Sequence, residues 1–412
     1  MTWRWLFALL ALVGCHREPV APLPQRAYVW QREWTPAVSE AARQADASLL
    51  NGLILFGAEI AWDQGKPRII YGSIDWATVR RLHRPMGIAL RVAPHSGPFV
   101  ADDLASRTIC DTAQLLLGKM KAEGVPCAEF HLDFDCAQKK LEGYATWVRA
   151  VREVVKPTRF LITTLPSWLS EPEFAKLIEI PDRYVLQVHS VAPPKNDEPP
   201  SICDPERARR WVTKAAALGR PFEVALSTYS ALAGHDPSGR LLGVALDGVQ
   251  PSWPRGTRVT PFGSDALALS ALVLEWNQDR PVELKGILWY RLPISTDVRN
   301  WRWPTLAAVM EGREPRRELR VEHQGDNVID LTLLNAGEAD ENLDRLKVQV
   351  TWTGPGPMDA DALPGWKVEL DGHHALFELT EAQRLRLSPG GRRGMGWLRF
   401  DQRASLHVEI VR

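Results

Sequence analysis

Between residue 27 and residue 311 the chain alternates between two hydrophobic rhythms. Short, nearly continuous apolar runs with a period of two predict strands at Ala27–Trp34, Gly52–Ile60, Gly87–Ala93, Ala128–Asp135, Arg159–Leu165, Tyr184–Ser190, Phe222–Thr228 and Lys285–Arg291. Between them, apolar residues recur at three- and four-residue steps. Leu141, Tyr144, Val148, Val151 and Val155 share one helical face, and Ala208, Trp211, Val212, Ala215 and Leu218 share another. Further helices are predicted at Asp102–Glu123, Glu171–Glu179, Ser264–Gln278 and Trp303–Glu311. Strands each trailed by a helix, eight times over, predict an α/β chain folded as a (β/α)8 TIM barrel. A doubly wound sheet is the alternative, but Trp30-Gln31-Arg32-Glu33-Trp34-Thr35 after the first strand has no glycine to receive a phosphate.

Past Glu311 the helical rhythm stops. Short alternating segments appear instead, at Glu318–His323, Val328–Leu334, Leu346–Thr351, Trp366–Leu370, Ala375–Leu379, Arg384–Leu387, Gly396–Phe400 and Ser405–Ile410. Gly-rich turns separate them, which predicts a small antiparallel β-sandwich over 313–412 behind a barrel over 27–312. No aromatic row stands out in it, so covering the barrel is the plainer role and glycan binding the other.

The stretch that organises the barrel is Phe130-His131-Leu132-Asp133-Phe134-Asp135. Read as a strand, its aromatic and aliphatic residues point one way while His131, Asp133 and Asp135 point the other. Alternation puts Arg91 and His95, Gln187 and His189, Ser227 and Tyr229, and Trp289 and Arg291 on the inward faces of other strands. Glu59 and Trp62 follow the second strand, Trp30 and Trp34 belong to the first, and Trp168 follows the fifth. In such a barrel the C-terminal strand ends form the site, so these residues are expected to converge there. A buried ion network without chemistry would use the same residue types. The long segments Val191–Asp204 and Ser230–Pro261 read as loops walling the mouth.

The N-terminus reads as a targeting segment. Arg4 precedes the apolar run Trp5–Val13, too short to span a bilayer. Leu12-Val13-Gly14-Cys15 resembles the lipobox of bacterial lipoproteins, with Cys15 lipidated, 1–15 removed or modified as the signal, and 16–26 a Pro-rich tether. His16 in place of Asp after the Cys implies sorting to the outer membrane. Export to an oxidising compartment raises the question of disulfides among Cys110, Cys127, Cys136 and Cys203. Four cysteines allow three pairings; Cys136 with Cys203, at one barrel mouth, is the pairing preferred.

Composition narrows the chemistry. Fifty basic and fifty acidic side chains cancel, and no basic run marks a nucleic-acid partner. Seventeen Trp among 412 residues offer flat rings for stacking on sugars. There is no P-loop, no Gly-x-Ser-x-Gly elbow and no His-Glu-x-x-His, and no cofactor is called for. The rival to carboxylate chemistry is a metal held by His131, Asp133, Asp135 and His189.

His131-Leu132-Asp133-Phe134-Asp135-Cys136, Leu186-Gln187-Val188-His189-Ser190 and Gly286-Ile287-Leu288-Trp289-Tyr290-Arg291-Leu292-Pro293 together resemble the bacterial family catalogued as domain of unknown function 3142. The resemblance runs from about Tyr28 to Pro304 and implies a TIM barrel related to glycoside hydrolases. More distantly, the fourth strand is similar to that of chitinase-like hydrolases, which ends in Asp-x-x-Asp-x-Asp-x-Glu. Asp133 and Asp135 match the two middle acids, Phe130 stands in place of the first, and Ala137 in place of the proton-donating Glu. Two functions follow as expectations. One is an envelope glycosidase with Asp135 as acid or base, Asp133 tuning it and Glu59 as a further carboxylate. In that reading His131, Arg91, Gln187, His189, Tyr229, Arg291 and Trp30 bind a polysaccharide, and Trp289 forms a stacking floor. The other is a lipid-anchored, non-catalytic glycan-binding protein on a degenerate hydrolase barrel.

Overall fold

The computed structural model describes residues 21–189, 201–246, 252–380 and 385–411. In chain order its first strands are β1 (Gln25–Val29), β2 (Leu53–Asp63), β3 (Lys66–Tyr71), β4 (Met86–Val92), β5 (Cys127–Asp133) and β6 (Arg159–Thr164). They are followed by β7 (Arg183–Gln187), β8 (Phe222–Ser227), β9 (Ser230–His235), β10 (Leu241–Ala245), β11 (Arg258–Gly263) and β12 (Leu284–Tyr290). Eight of them, in the order β1-β12-β8-β7-β6-β5-β4-β2, pair in parallel, and a β1–β2 pairing closes the ring. The chain is an α/β barrel with an antiparallel β domain behind it. The strand rhythm places all eight barrel strands within a few residues of where they lie.

The outward faces of the strands are apolar because helices cover them. Phe130 and Leu132 of β5, Val224 and Leu226 of β8 and Ile287 of β12 join one buried layer with Tyr144, Trp147 and Val151. Each fully buried side chain of this size contributes about 1.5–3 kcal/mol. Helix starts are fixed by acidic caps: Asp103 accepts from the Ser106 amide at 2.7 Å, Asp204 from Arg207 at 3.0 Å and Asp265 from Leu267 at 2.9 Å.

Inside the barrel, side chains stack in layers. The lowest is ionic. Arg26 lies between Glu129 and Glu223 and is ion-paired with both, and Arg183 reaches Glu223 at 3.0 Å. A glycine makes part of the space: a Cβ at Gly87 would sit 2.8 Å from the Glu129 side chain. Above comes a mostly apolar layer of Tyr28, Ile54, Ala89, Leu161, Val185, Ala225 and Leu288. The C-terminal strand ends lie above that.

Three features depart from the expectations. β2 runs on into a hairpin with β3, turning through Gln64 (φ 48°) and Gly65 (φ 79°). The segment expected to be a loop after the seventh barrel strand forms a three-stranded antiparallel sheet, β10-β9-β11. Ordered packing also begins inside the stretch read as a tether, since Leu23 is buried and its amide donates to Asn277 Oδ1 at 2.9 Å. The leader, Cys15 and most of Val191–Asp204 lie outside the described residues.

The C-terminal domain holds two four-stranded antiparallel sheets. One orders Leu319–Gln324, Val328–Asn335, Arg392–Arg399 and Asp359–Ala362; the other orders Trp366–Leu370, His374–Leu379, Lys347–Thr353 and Ser405–Val411. Ile329, Leu331, Val348, Val350, Phe377 and Leu398 fill the space between them. Arg313 pairs with Glu338 at 2.5 Å, tying the end of the barrel to this domain.

Candidate functional site

A cavity of about 1010 Å³ opens at the C-terminal strand ends. Its walls include Tyr28 of β1 and Trp30 just after it, Arg91 of β4, Asp133 of β5 and Asp135 just after it, and Thr163 of β6. Gln187 at the end of β7 and His189 just after it, Tyr229 after β8, and Tyr290 at the end of β12 with Arg291 just after it line it too. Asp133, Arg91, Asp135, Gln187, His189, Tyr229, Arg291 and Trp30 thus line one space, as their strand positions predict.

Asp133 ends β5 and is buried. Its Oδ1 accepts from Thr163 Oγ1 at 2.7 Å, and its Oδ2 lies 3.4 Å from Arg91 Nη1. Burial pushes its carboxyl up from the ordinary range; Arg91 pulls it down and Asp135 pushes it further up, and the upward push wins. Asp135, two residues on and past the strand end, is exposed, and its Oδ1 accepts from Gln187 Nε2 at 3.3 Å. Deep and shallow carboxylates therefore share one strand end.

The opposite wall is aromatic. The His189 ring stacks on Tyr290 with centroids 5.6 Å apart and an 18° interplanar angle, and meets Tyr229 edge-on at 6.1 Å. Burial drives His189 down to about 4, so its imidazole is neutral at physiological pH, with a buried Nε2 that has no hydrogen-bond partner among the described residues. Trp30 packs edge-on against Tyr290 at 5.4 Å. Arg291 is held by Asp297 at 2.7 Å.

Several expected residues sit elsewhere. Trp289 is fully buried on the helix-facing side of β12, where its indole donates to Gln25 Oε1 at 2.9 Å, so it is no stacking floor; Leu288 and Tyr290 face inward instead. β12 is apolar on both faces, so alternation alone misplaces it by one residue. His131 faces inward but one layer below the cavity, bonded to Tyr28 Oη at 2.9 Å through Nδ1, with Nε2 3.4 Å from Glu129. Glu59 pairs with Arg32 and lies 3.9 Å from Arg91, outside the cavity wall. His131 is thus separated from Asp133, Asp135 and His189 by its depth, and among the described residues no three His, Cys, Asp or Glu side chains group to hold a metal. Cys136 and Cys203 are both free and buried, so the preferred disulfide is not formed; burial raises each thiol to about 12. His95 and Trp62 line a separate cavity of about 500 Å³, while Trp168 is buried with its indole on the Cys136 carbonyl at 3.1 Å. Trp34 packs on the helix-facing core, and Ser227 is buried against Ser264 at 2.5 Å.

Residues the sequence reading missed also line the cavity: Glu33, Tyr290, Thr163 and Asp297. For Tyr290 and Thr163 the signal was present in the register of their strands. For Glu33 it was not, because Glu33 lies beyond the regular strand.

Comparison with known proteins places the chain. The model of the family described as Domain of unknown function (DUF3142) matches residues 85–295, and that of Domain of unknown function (DUF8456) matches residues 318–401. Among curated proteins none matches. Among solved structures, the spore cortex-lytic enzyme SleL of Bacillus cereus is similar at 14% identity and a TM-score of 0.50, over 71% of this chain and 74% of that one. A chitinase from Chromobacterium violaceum is similar at 13% identity and a TM-score of 0.48, over 70% of this chain and 98% of that one. Identities this low speak for the fold alone, a parallel α/β barrel. With its model matching just over half of the sequence, the family to which this chain belongs is the one described as Domain of unknown function (DUF3142).

Proposed function

We propose that the cavity binds a polysaccharide chain and hydrolyses a glycosidic bond in it, with Asp135 as the carboxyl group that transfers the proton. One observation carries this reading: Asp133 and Asp135 rise from a single strand end into an open cavity walled by Trp30, Tyr229 and Tyr290. Sugar rings have apolar faces and hydroxyl rims. The aromatic wall suits the faces, and Gln187, His189 and Arg91 suit the rims. Proton transfer by a positioned carboxyl contributes about 10²- to 10⁴-fold to such a reaction. Asp133 serves beneath it by keeping a proton or a charge next to Asp135 as the reaction proceeds, and Arg91 and Thr163 hold it in place.

The test is reducing-end release from peptidoglycan, chitin, amylose and bacterial exopolysaccharides by the wild type and by Asp135→Asn. Release by the wild type with at least a hundredfold loss in the variant supports the reading. Equal release by both moves the chemistry off Asp135.

Ala137 favours a second reading. It is exposed at the mouth, where the similar chitinase-like motif carries its proton-donating Glu. A barrel without that donor suits a non-catalytic glycan-binding protein, and saturable binding without release by any variant would support it. For location we propose lipid attachment at Cys15 and an outer-membrane place in the envelope. Incorporation of labelled fatty acid that is lost in Cys15→Ala is the measurement.

A further inference from the structure

We infer that the separate cavity of about 500 Å³ beside the mouth is a second sugar-binding site, in which an uncharged unit of the polysaccharide stacks on Trp62, away from the unit at Asp135. The inference rests on the polysaccharide reading above and adds the class of unit.

Both cavities open over the same pair of strands. β2 and β4 are paired neighbours, with Glu59 opposite Arg91. Arg91 lines the large cavity, and Pro94, three residues on, lines the small one. Three residues of chain span at most about 11 Å. The two walls are therefore within reach of a single polymer.

The small cavity is built from anchored parts. Trp62 lies on the β2–β3 hairpin, and its indole nitrogen donates to the Ala93 carbonyl at 3.1 Å. The His95 ring sits against Trp62 with centroids 4.5 Å apart and against Trp147 at 5.1 Å. Lys140 Nζ donates to the carbonyls of Ser96 at 3.0 Å and Gly97 at 3.4 Å, which pins the loop that forms one wall. Concave, preformed walls of aromatic and apolar groups are the usual form of a small-ligand site.

The chemistry of the walls selects the unit. Pro94, Pro98 and Leu104 are exposed beside Trp62, and Leu104 keeps 54% of its surface in solvent. Among the described lining residues the single acidic side chain is Asp103, and it is engaged by the Ser106 amide at 2.7 Å, where it caps the helix Leu104–Ala122. Burial lowers His95 below the ordinary histidine range, so its ring adds no charge at neutral pH. No cation in the wall balances a carboxylate or a sulfate, whereas the large cavity holds Arg91 and Arg291. A neutral pyranose fits: its apolar face covers the indole, and its hydroxyl rim meets water and the exposed Ser96.

The experiment is calorimetric titration of the full chain carrying Asp135→Asn, which leaves the ligand intact, with oligosaccharides of two and of eight units cut from chitin, amylose and peptidoglycan. Adding Trp62→Ala is expected to weaken binding of the eight-unit ligand at least tenfold and of the two-unit ligand less than twofold. An unchanged unfolding transition and recovery in Trp62→Phe separate this from a structural loss. Leu104→Glu, at an exposed helix start, is expected to reproduce the length-dependent loss without touching the core. Equal loss at both lengths, or no loss at eight units, overturns the inference and leaves the polysaccharide reading standing. A Trp62-dependent gain for an eight-unit amylose fragment oxidised to the uronate overturns the uncharged assignment. Failure to bind every probe, with Asp135 present or replaced, overturns both readings.

Discussion

Glu129 and Asp133 sit four residues apart on β5, face the same barrel interior and are both buried, yet their carboxyls are driven in opposite directions. Burial pushes each one up. At Glu129, His131 and Arg26 outweigh burial and bring the carboxyl down to about 2; at Asp133, burial prevails over Arg91 and Thr163. The lower end of the barrel is an ionic plug in which each carboxylate has a cation against it. The upper end leaves carboxylates facing an open cavity. Charge inside a barrel therefore does not mark a site; incompletely compensated charge beside a cavity does.

The comparison breaks most visibly at its lower end. Arg26→Met leaves Glu129 and Glu223 facing each other without their shared cation, and is expected to cost about 3–5 kcal/mol in urea unfolding. A smaller loss, about 1–3 kcal/mol, is expected for Tyr28→Phe, which strips His131 Nδ1 of its buried partner; the same unfolding measurement checks it. The pH dependence follows from the sign at Glu129. Its folded value lies below its unfolded value near 4.5, so its contribution is fully present above that value and is lost as pH falls towards about 2. Stability measured across that window is expected to fall, and Glu129→Gln to flatten the fall. The least effect is expected at the upper end, where Asp135→Asn changes an exposed side chain and should move unfolding by no more than about 0.5 kcal/mol. A large destabilisation there would mean that the two ends are built alike.

The eight barrel strands were legible because a strand covered by helices outside and side chains inside is nearly all apolar, and helices with one apolar stripe punctuate it. The inward polar positions of β4, β5 and β7 were legible for a related reason, since alternation is sharp where one face is ionisable. It fails at β12, where Ile287, Leu288, Trp289 and Tyr290 give no contrast between faces. There the register is shown by Gly286, where a Cβ would sit 2.9 Å from the Pro24 carbonyl. The sheet formed by β9, β10 and β11 was hidden because its strands alternate weakly between Gly and Ala residues such as Ala231, Ala233 and Gly234. Glu33 could not be found by periodicity, since it is placed by a single bridge to Ser73. The cysteine pairing failed because two thiols at one mouth can each be buried in separate packing, as Cys136 is below Trp168.

The chain enters the barrel at its lower end: Leu23 is docked on Asn277, and β1 then runs from the plug at Arg26 up to Trp30 at the cavity. This direction has a topographical consequence. From Cys15 to Leu23 an extended chain spans at most about 30 Å. A fatty acyl anchor at Cys15 would therefore hold the plugged end near the bilayer and turn the mouth towards the surrounding aqueous space. Polymers lying away from the lipid surface would then have open access, while headgroups in the leaflet that carries the anchor would be out of reach.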